Sequence, residues 1–77
     1  MQLDVFVVSP RKVVFKGKAD NLILPGEQGV FEVLAFHKRI VSRLVEGMVV
    51  VGSQEFPIKR GIIRVSQNKV TIIAEEK

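Results

Sequence analysis

The fold is decided by the stretch Leu24-Pro-Gly-Glu-Gln-Gly-Val-Phe-Glu-Val-Leu-Ala-Phe-His37. It joins the end of one apolar run to a tight turn and then to a second run with strand character. Pro25 fixes its own φ and Gly26 tolerates a positive φ, so Pro-Gly predicts a type II turn. Gly29 permits a second bend or a close backbone approach. The stretch therefore predicts two strands and a surface loop that is held in one shape and offered to another macromolecule.

Short apolar runs separated by turn residues make up the rest of the chain. Gly52-Ser53 predicts a two-residue hairpin, and Ser66-Gln-Asn-Lys69 predicts another. Lys16-Gly-Lys18 is expected to break the chain between two strands, and Pro57 indicates an edge strand or a bulge. The predicted strands cover residues 3–8, 13–15, 20–24, 30–34, 40–44, 48–51, 55–59, 62–65 and 70–74. This pattern predicts an all-β fold, a small antiparallel β-sandwich of about eight to ten short strands, with a barrel as the related alternative.

Length and composition narrow the class of protein. The 77 residues are expected to form one domain, 1–77, with 47% apolar and 26% charged residues. There is no cysteine and only one histidine, which excludes a disulfide framework and makes a structural zinc site very unfavourable. No stretch reaches the length of about 20 apolar residues that a membrane span needs. The N-terminus lacks a signal-peptide pattern, so a cytoplasmic or equivalent compartment is expected.

The charge balance is basic, with a formal net charge of +4. A solvated surface of mixed sign is the favoured interpretation, and attraction to nucleic acid or anionic lipid is the sharper alternative. Proteins that bind single-stranded nucleic acid usually add stacking aromatic side chains. This chain has no tyrosine or tryptophan, and its five phenylalanines lie in apolar runs that predict core positions.

Candidate catalytic groups are few. The only histidine, His37, is expected to form hydrogen bonds at a surface or interface; a core position is the second interpretation and a catalytic base the third. No serine or threonine has nucleophile-elbow spacing, although folding could bring one to His37. Gly26 and Gly29 are too few for a phosphate-binding loop. The sequence therefore predicts no catalytic residue, no cofactor and no metal, while Lys38-Arg39 is either a solvated loop or a contact for an acidic partner.

Five segments, in order along the chain, resemble one family. Leu3–Pro10 is similar to its opening strand, and Val14-Phe-Lys-Gly17 to its V-F-x-G turn. Leu22–His37 resembles the signature L-P-G-x-x-G-x-F-x-V-L-x-x-H, and Leu44-Val-Glu-Gly47 resembles L-x-x-G. Gly61–Ala74 is similar to the final hairpin, G-x-x-x-V-x-x-N-x-V-T-V-L-A. The family is the epsilon subunit of the F-type ATP synthase, and the resemblance covers its N-terminal β-sandwich domain.

Several loops depart from the family pattern. Ala35-Phe36 stands where the family has Pro-Gly, and Lys38-Arg39 where it has Ala-Pro. Val30 replaces an acidic or polar residue, and Lys59-Arg-Gly61 replaces Ser-Gly-Gly. The family commonly continues into two C-terminal helices that inhibit the motor and bind ATP in some members. The sequence ends before them, so neither property is carried over. The loop changes bear on partner contacts more than on the fold.

The resemblance implies a non-catalytic central-stalk subunit of a proton-translocating ATP synthase. Its partners would be the gamma subunit and the membrane rotor ring, with no nucleic acid and no insertion into the membrane. The chain would lie at the inner face of an energy-coupling membrane, the cytoplasmic side in a bacterium. The implied partner-binding residues are Glu27, Gln28, Gly29, Val30, Phe31, His37, Lys38 and Arg39. The alternatives are a basic β-domain that binds nucleic acid, or one that associates with itself through Val30 and Ile40.

Overall fold

The computed structural model describes residues 2–77, and eight β-strands occupy most of that range. The all-β prediction is confirmed, and the strand number falls within the expected range. The strands are β1 (Leu3–Val8), β2 (Val13–Ala19), β3 (Asn21–Gly26), β4 (Gly29–Leu34), β5 (Ile40–Leu44), β6 (Gly47–Val51), β7 (Gln54–Ser66) and β8 (Lys69–Glu76).

Strand β7 belongs to both layers of the sandwich. Its first part pairs with β6, from Gln54 to Ile58, and its second part pairs with β5, from Gly61 to Val65. The register against β8 shifts between Ile58 and Arg60, and such a bulge lets a strand bend from one sheet into another. One layer therefore runs β2-β1-β8-β7-β5 and the other runs β4-β3-β6-β7.

One strand pairing departs from the antiparallel prediction. Strands β1 and β8 pair in parallel, from Asp4 opposite Lys69 to Val8 opposite Ile73. The other pairings within residues 2–77 are antiparallel, as predicted. The parallel pair brings the start of β1 beside the β7–β8 turn, where the Asp4 N–H donates to the Asn68 carbonyl at 2.8 Å.

The core lies between the two layers and is apolar. In β1, Leu3, Val5 and Val7 point inward while the residues between them face outward, which is the period-two pattern of a half-buried strand. Within residues 2–77 no polar or charged side chain is buried. The buried residues form one cluster: Leu3, Val5, Val7, Ala19, Leu22, Leu24, Val33, Leu44, Val49, Val51, Ile58, Ile63, Val65, Val70, Ile72 and Ala74.

Two stretches that were predicted to interrupt a strand instead continue it. Strand β2 continues through Lys16-Gly-Lys18, because Gly17 stays paired with Val5 and lies against the ring of Phe15. The two strands predicted at 55–59 and 62–65 are one strand, β7, because the bulge after Ile58 bends the chain without ending its pairing. Pro57 itself is paired with Met48 of β6, and the bulge lies two residues further on, between Ile58 and Arg60.

The prediction that all five phenylalanines are core residues is also wrong. Phe15, Phe31 and Phe56 pack at the margin of the core and are partly buried. Phe6 occupies an outward position of β1 and is 37% exposed, and Phe36 lies in the turn after β4 and is 71% exposed. Phe6 alternates with the inward-facing Val5 and Val7, and Phe36 follows the end of β4, so neither ring lies between the layers.

The part of the chain that the structure describes contains no helix with the length and apolarity needed to cross a membrane.

Candidate functional site

A groove separates the start of β4 from the start of β5, two strands that are not paired with each other. It encloses about 520 Å³. Its walls are Gly26, Glu27, Gln28, Gly29, Val30, Phe31, His37, Ile40, Val41 and Ser42. The groove therefore combines the β3–β4 turn, the histidine of the β4–β5 loop and the outer edge of β5.

The turn at one end of this groove differs from the predicted one. Pro25 and Gly26 lie within β3 and are buried, and the turn consists of Glu27 and Gln28. Gly26 pairs with Gly29 across it, so the connection is a two-residue hairpin rather than a Pro-Gly turn. Gly29 is the first residue of β4 and has φ 118°, a conformation that favours glycine.

A close approach explains why glycine occupies position 26 without a positive φ. A Cβ there would lie 2.8 Å from the ring of Phe31 and 2.9 Å from the Gly29 carbonyl oxygen. The Phe31 ring thus fills the space above the strand and packs against the core at the same time. This arrangement fixes the turn and presents Glu27 and Gln28, both exposed, at its tip.

A second turn closes the other wall of the groove. The His37 N–H donates to the Leu34 carbonyl at 3.2 Å, and Phe36, the third residue of this turn, has φ 65°. A positive φ at the third position only is the type II pattern. His37 is exposed, and its Nδ1 lies 2.9 Å from the Lys38 carbonyl oxygen, which fits the surface hydrogen-bonding interpretation.

The groove gathers six of the eight residues that the sequence assigned to partner binding. Glu27, Gln28, Gly29, Val30, Phe31 and His37 all line it. Lys38 and Arg39 are exposed but lie outside its walls, and neither takes part in an ion pair within residues 2–77.

Sequence reasoning missed the contribution of β5 to the groove. Val41 is 69% exposed, and Ser42 lies beside it on the same wall. Ile40 was considered only for self-association. No local sequence signal marks these residues, because the approach of β5 to β4 depends on how each strand pairs with its neighbours in the two layers.

The groove brings His37 and Ser42 to one site without pairing them. The Ser42 hydroxyl donates to the Arg43 carbonyl at 3.3 Å, and the His37 Nδ1 faces the Lys38 carbonyl. A nucleophile needs a base within hydrogen-bond reach, and these groups are engaged elsewhere. Among residues 2–77 no three histidine or acidic side chains are grouped so that they could hold a metal ion.

A second groove, of about 560 Å³, lies on the outer face of β7 and β8. Ile62 and Ile73 are paired across these strands and line it, with exposures of 50% and 56%. Arg60 and Glu75 form an ion pair of 2.7 Å at its border. Glu27 lines both grooves, so the β3–β4 turn separates them.

The eight strands and the packed β3–β4 turn define a small β-sandwich domain. The family model that describes the ATP synthase delta/epsilon chain β-sandwich domain matches residues 2–77. This chain belongs to that family, which confirms the resemblance seen in the sequence.

Similar sequences support the assignment. The chain is 33% identical over 78 residues to an ATP synthase epsilon chain of Leptospira borgpetersenii, with 96% of this chain and 61% of the relative covered. It is 35% identical to the chloroplastic ATP synthase epsilon chain of Tetradesmus obliquus, with 99% of this chain and 59% of the relative covered. The chain thus spans about three fifths of the length of these relatives.

Solved structures share the fold at low identity. A chain in the Tetrahymena thermophila mitochondrial ATP synthase central stalk and c-ring superposes with a TM-score of 0.84 at 14% identity, covering 99% of this chain and 65% of that chain. A chain in the Euglena gracilis mitochondrial ATP synthase superposes with a TM-score of 0.89 at 20% identity, covering 97% and 51%. These likenesses establish the fold.

Proposed function

We propose that this chain is a non-catalytic central-stalk subunit of a proton-translocating F-type ATP synthase, where it couples the gamma subunit to the membrane rotor ring. The family match over residues 2–77 carries the proposal. Relatives named ATP synthase epsilon chain, and a similar fold in a structure described as central stalk and c-ring, support this role over the nucleic-acid alternative.

The groove between β4 and β5 is the proposed partner surface. Glu27 and Gln28 stand at the tip of a turn that Gly29 and the Phe31 ring hold in one shape. A preorganised loop loses little conformational entropy on docking, which suits a contact that must transmit load. On this proposal the turn meets the polar loops of the rotor ring, and His37 lies near both the ring and gamma.

The two free cations beside the groove supply the electrostatic part of the contact. Lys38 and Arg39 are exposed and have no acidic partner within residues 2–77. They are proposed to face carboxylates or carbonyl groups on the neighbouring subunit, where complementary charge speeds association and disfavours wrong partners.

The proposed location follows from the role. The chain would act as one β-sandwich domain, 1–77, at the inner face of an energy-coupling membrane, on the cytoplasmic side in a bacterium. It would bind the complex peripherally and need no cofactor, since the nucleotide chemistry belongs to other subunits. Ion transport and ATP synthesis would depend on it through assembly and torque transfer.

Binding to the cognate gamma subunit tests this proposal. Purified chain and gamma are titrated by calorimetry, and Arg39→Glu is compared with Arg11→Glu. Both variants change the net charge equally. Arg11, however, lies in the β1–β2 turn, at the opposite end of β1 from Asp4, whose N–H contacts Asn68. We expect Arg39→Glu to weaken binding about tenfold and Arg11→Glu to change it little.

Thermal melts of both variants exclude loss of folding as the cause. Wild-type chain that fails to bind gamma, alone or together with rotor-ring subunits, would contradict the proposed function. Equal weakening by the two variants would show that binding depends on net charge and not on this loop.

A further inference from the structure

Phe36 has an unfavourable backbone conformation and an exposed aromatic side chain, a combination that is unusual in a surface turn. Its φ of 65° lies in the left-handed region, where a bulky side chain is a genuine outlier. Its side chain is 71% exposed, so packing against the core does not compensate for the unfavourable backbone. Glycine would occupy the third position of this type II turn without steric cost. Core packing within this chain therefore does not offset the backbone strain at Phe36.

Two hydrogen bonds hold Phe36 in this conformation. Its N–H donates to the side-chain oxygen of Asn68 at 2.6 Å, and the next N–H, of His37, donates to the Leu34 carbonyl. Asn68 is itself fixed in the β7–β8 turn with φ 62°, and its carbonyl accepts the Asp4 N–H. The loop is thus held from both sides, and the aromatic side chain is presented in one backbone geometry.

We propose that Phe36 is the anchor residue through which this chain docks on the neighbouring central-stalk subunit, entering an apolar pocket bordered by carboxylates. This inference rests on the proposed function. Aromatic residues dominate the binding energy of many interfaces when they enter a desolvated pocket. Leu34, 52% exposed, extends the apolar surface, and Lys38 and Arg39 match an acidic border.

A shaped protein pocket fits these observations better than a membrane or a nucleic acid. A fluid lipid surface gains little from one aromatic residue held in one backbone conformation, and basic lipid-binding segments use about four to eight cations. Single-stranded nucleic acid is bound by several stacking aromatics along a basic groove. Preorganisation of one side chain lowers the entropy cost of docking into a fixed cavity.

The test separates stability from binding. Phe36→Gly removes the anchor and relieves the backbone, so we expect its melting temperature to equal or exceed that of the wild type. Its affinity for the cognate gamma subunit should fall about 30-fold or more, the range of an interface hot spot. Phe36→Tyr keeps the ring and should bind within about threefold of the wild type. Phe36→Asn, which tolerates the left-handed region, repeats the test if the glycine variant is too flexible.

Each outcome is decisive. If the wild type binds gamma and both Phe36→Gly and Phe36→Asn bind it with unchanged affinity, the anchor is overturned while the proposed function stands. No binding by the wild type overturns both. Flotation with vesicles of phosphatidylglycerol and phosphatidylcholine is measured in parallel; a loss of vesicle binding in Phe36→Gly with unchanged gamma affinity would assign the side chain to lipid and overturn the anchor.

Discussion

The N–H of Phe36 donates a hydrogen bond to the side-chain oxygen of Asn68 at 2.6 Å, across 32 positions of sequence. Both residues have a left-handed backbone, with φ 65° and 62°. The Asn68 carbonyl also accepts the N–H of Asp4, at the start of β1. One asparagine therefore joins the loop beside the candidate site to the β7–β8 turn and to the first strand.

Replacing Asn68 should loosen the loop. Two variants distinguish the contribution of its left-handed backbone from that of its side-chain oxygen. Asn68→Gly keeps the left-handed turn but removes the acceptor of the Phe36 N–H, and we expect it to lower the free energy of unfolding by about 0.5–1.5 kcal/mol. Asn68→Asp retains an acceptor and tolerates the same φ, so it should lose less. Urea unfolding measures both.

Hydrogen exchange at Phe36 gives the matching local result. Its amide should exchange faster in Asn68→Gly than in Asn68→Asp, because only the glycine variant leaves that N–H without an acceptor. Equal exchange in the wild type and both variants would show that the side chain of Asn68 does not hold this loop.

The alternation of apolar and polar residues made the strands and two of the hairpins predictable. In β1 the inward and outward residues follow the period of two, and Gly52-Ser53 forms the predicted turn between β6 and β7. Prediction failed where a tertiary contact decided the backbone. The Phe31 ring above Gly26 keeps Pro25 and Gly26 in β3, and no local pattern reports that contact.

The candidate site was predictable in part, for the same reason. The turn and His37 were assigned through the resemblance to a family, and the structure places them on one groove. The β5 wall of the groove arises from strand pairing in two layers, so it left no local signal. Phe36 was assigned to the core because it follows an apolar strand, but the chain turns after Leu34 and leaves the ring in solvent.

Neighbouring isoleucines of β7 should respond differently to truncation. Ile63 is fully buried, and Ile63→Ala is expected to lower the free energy of unfolding by about 2–5 kcal/mol, because it removes buried surface and leaves a cavity. Ile62 is 50% exposed on the opposite face, and Ile62→Ala should cost less than about 1 kcal/mol. Denaturant unfolding of both variants measures the difference. Similar losses would contradict the assignment of the two faces.

Gly61 should resist replacement because of close packing. An added Cβ would lie 2.7 Å from the Ile73 carbonyl oxygen and 3.0 Å from the Ala74 Cβ, both in the paired strand β8. The backbone cannot move aside without breaking that pairing, so Gly61→Ala should cost about 1–3 kcal/mol. Gly52→Asn is the control, since position 52 has open space and φ 58°, which asparagine tolerates. Thermal melts in which Gly61→Ala is as stable as Gly52→Asn would refute this packing.

The ion pair of Glu46 and Lys77 should make stability depend on acid pH. Lys77 lowers the pKa of Glu46 below its usual 4.5, first through a hydrogen bond and then through its charge, while Lys59 adds a smaller effect. Because the folded-state pKa is lowered, the carboxylate stabilises the fold above the unfolded-state pKa, and this contribution disappears as the pH falls through the folded-state pKa. Glu46→Gln should therefore lower stability slightly at neutral pH, and its difference from the wild type should shrink as the pH falls through the folded-state pKa of Glu46, below 4.5. Lys77→Gln should show the same pH dependence, and added salt should weaken it, because both groups are exposed.

Urea unfolding at several pH values measures the difference in stability between each variant and the wild type. A difference that stays constant from neutral to acid pH would show that the pair contributes nothing.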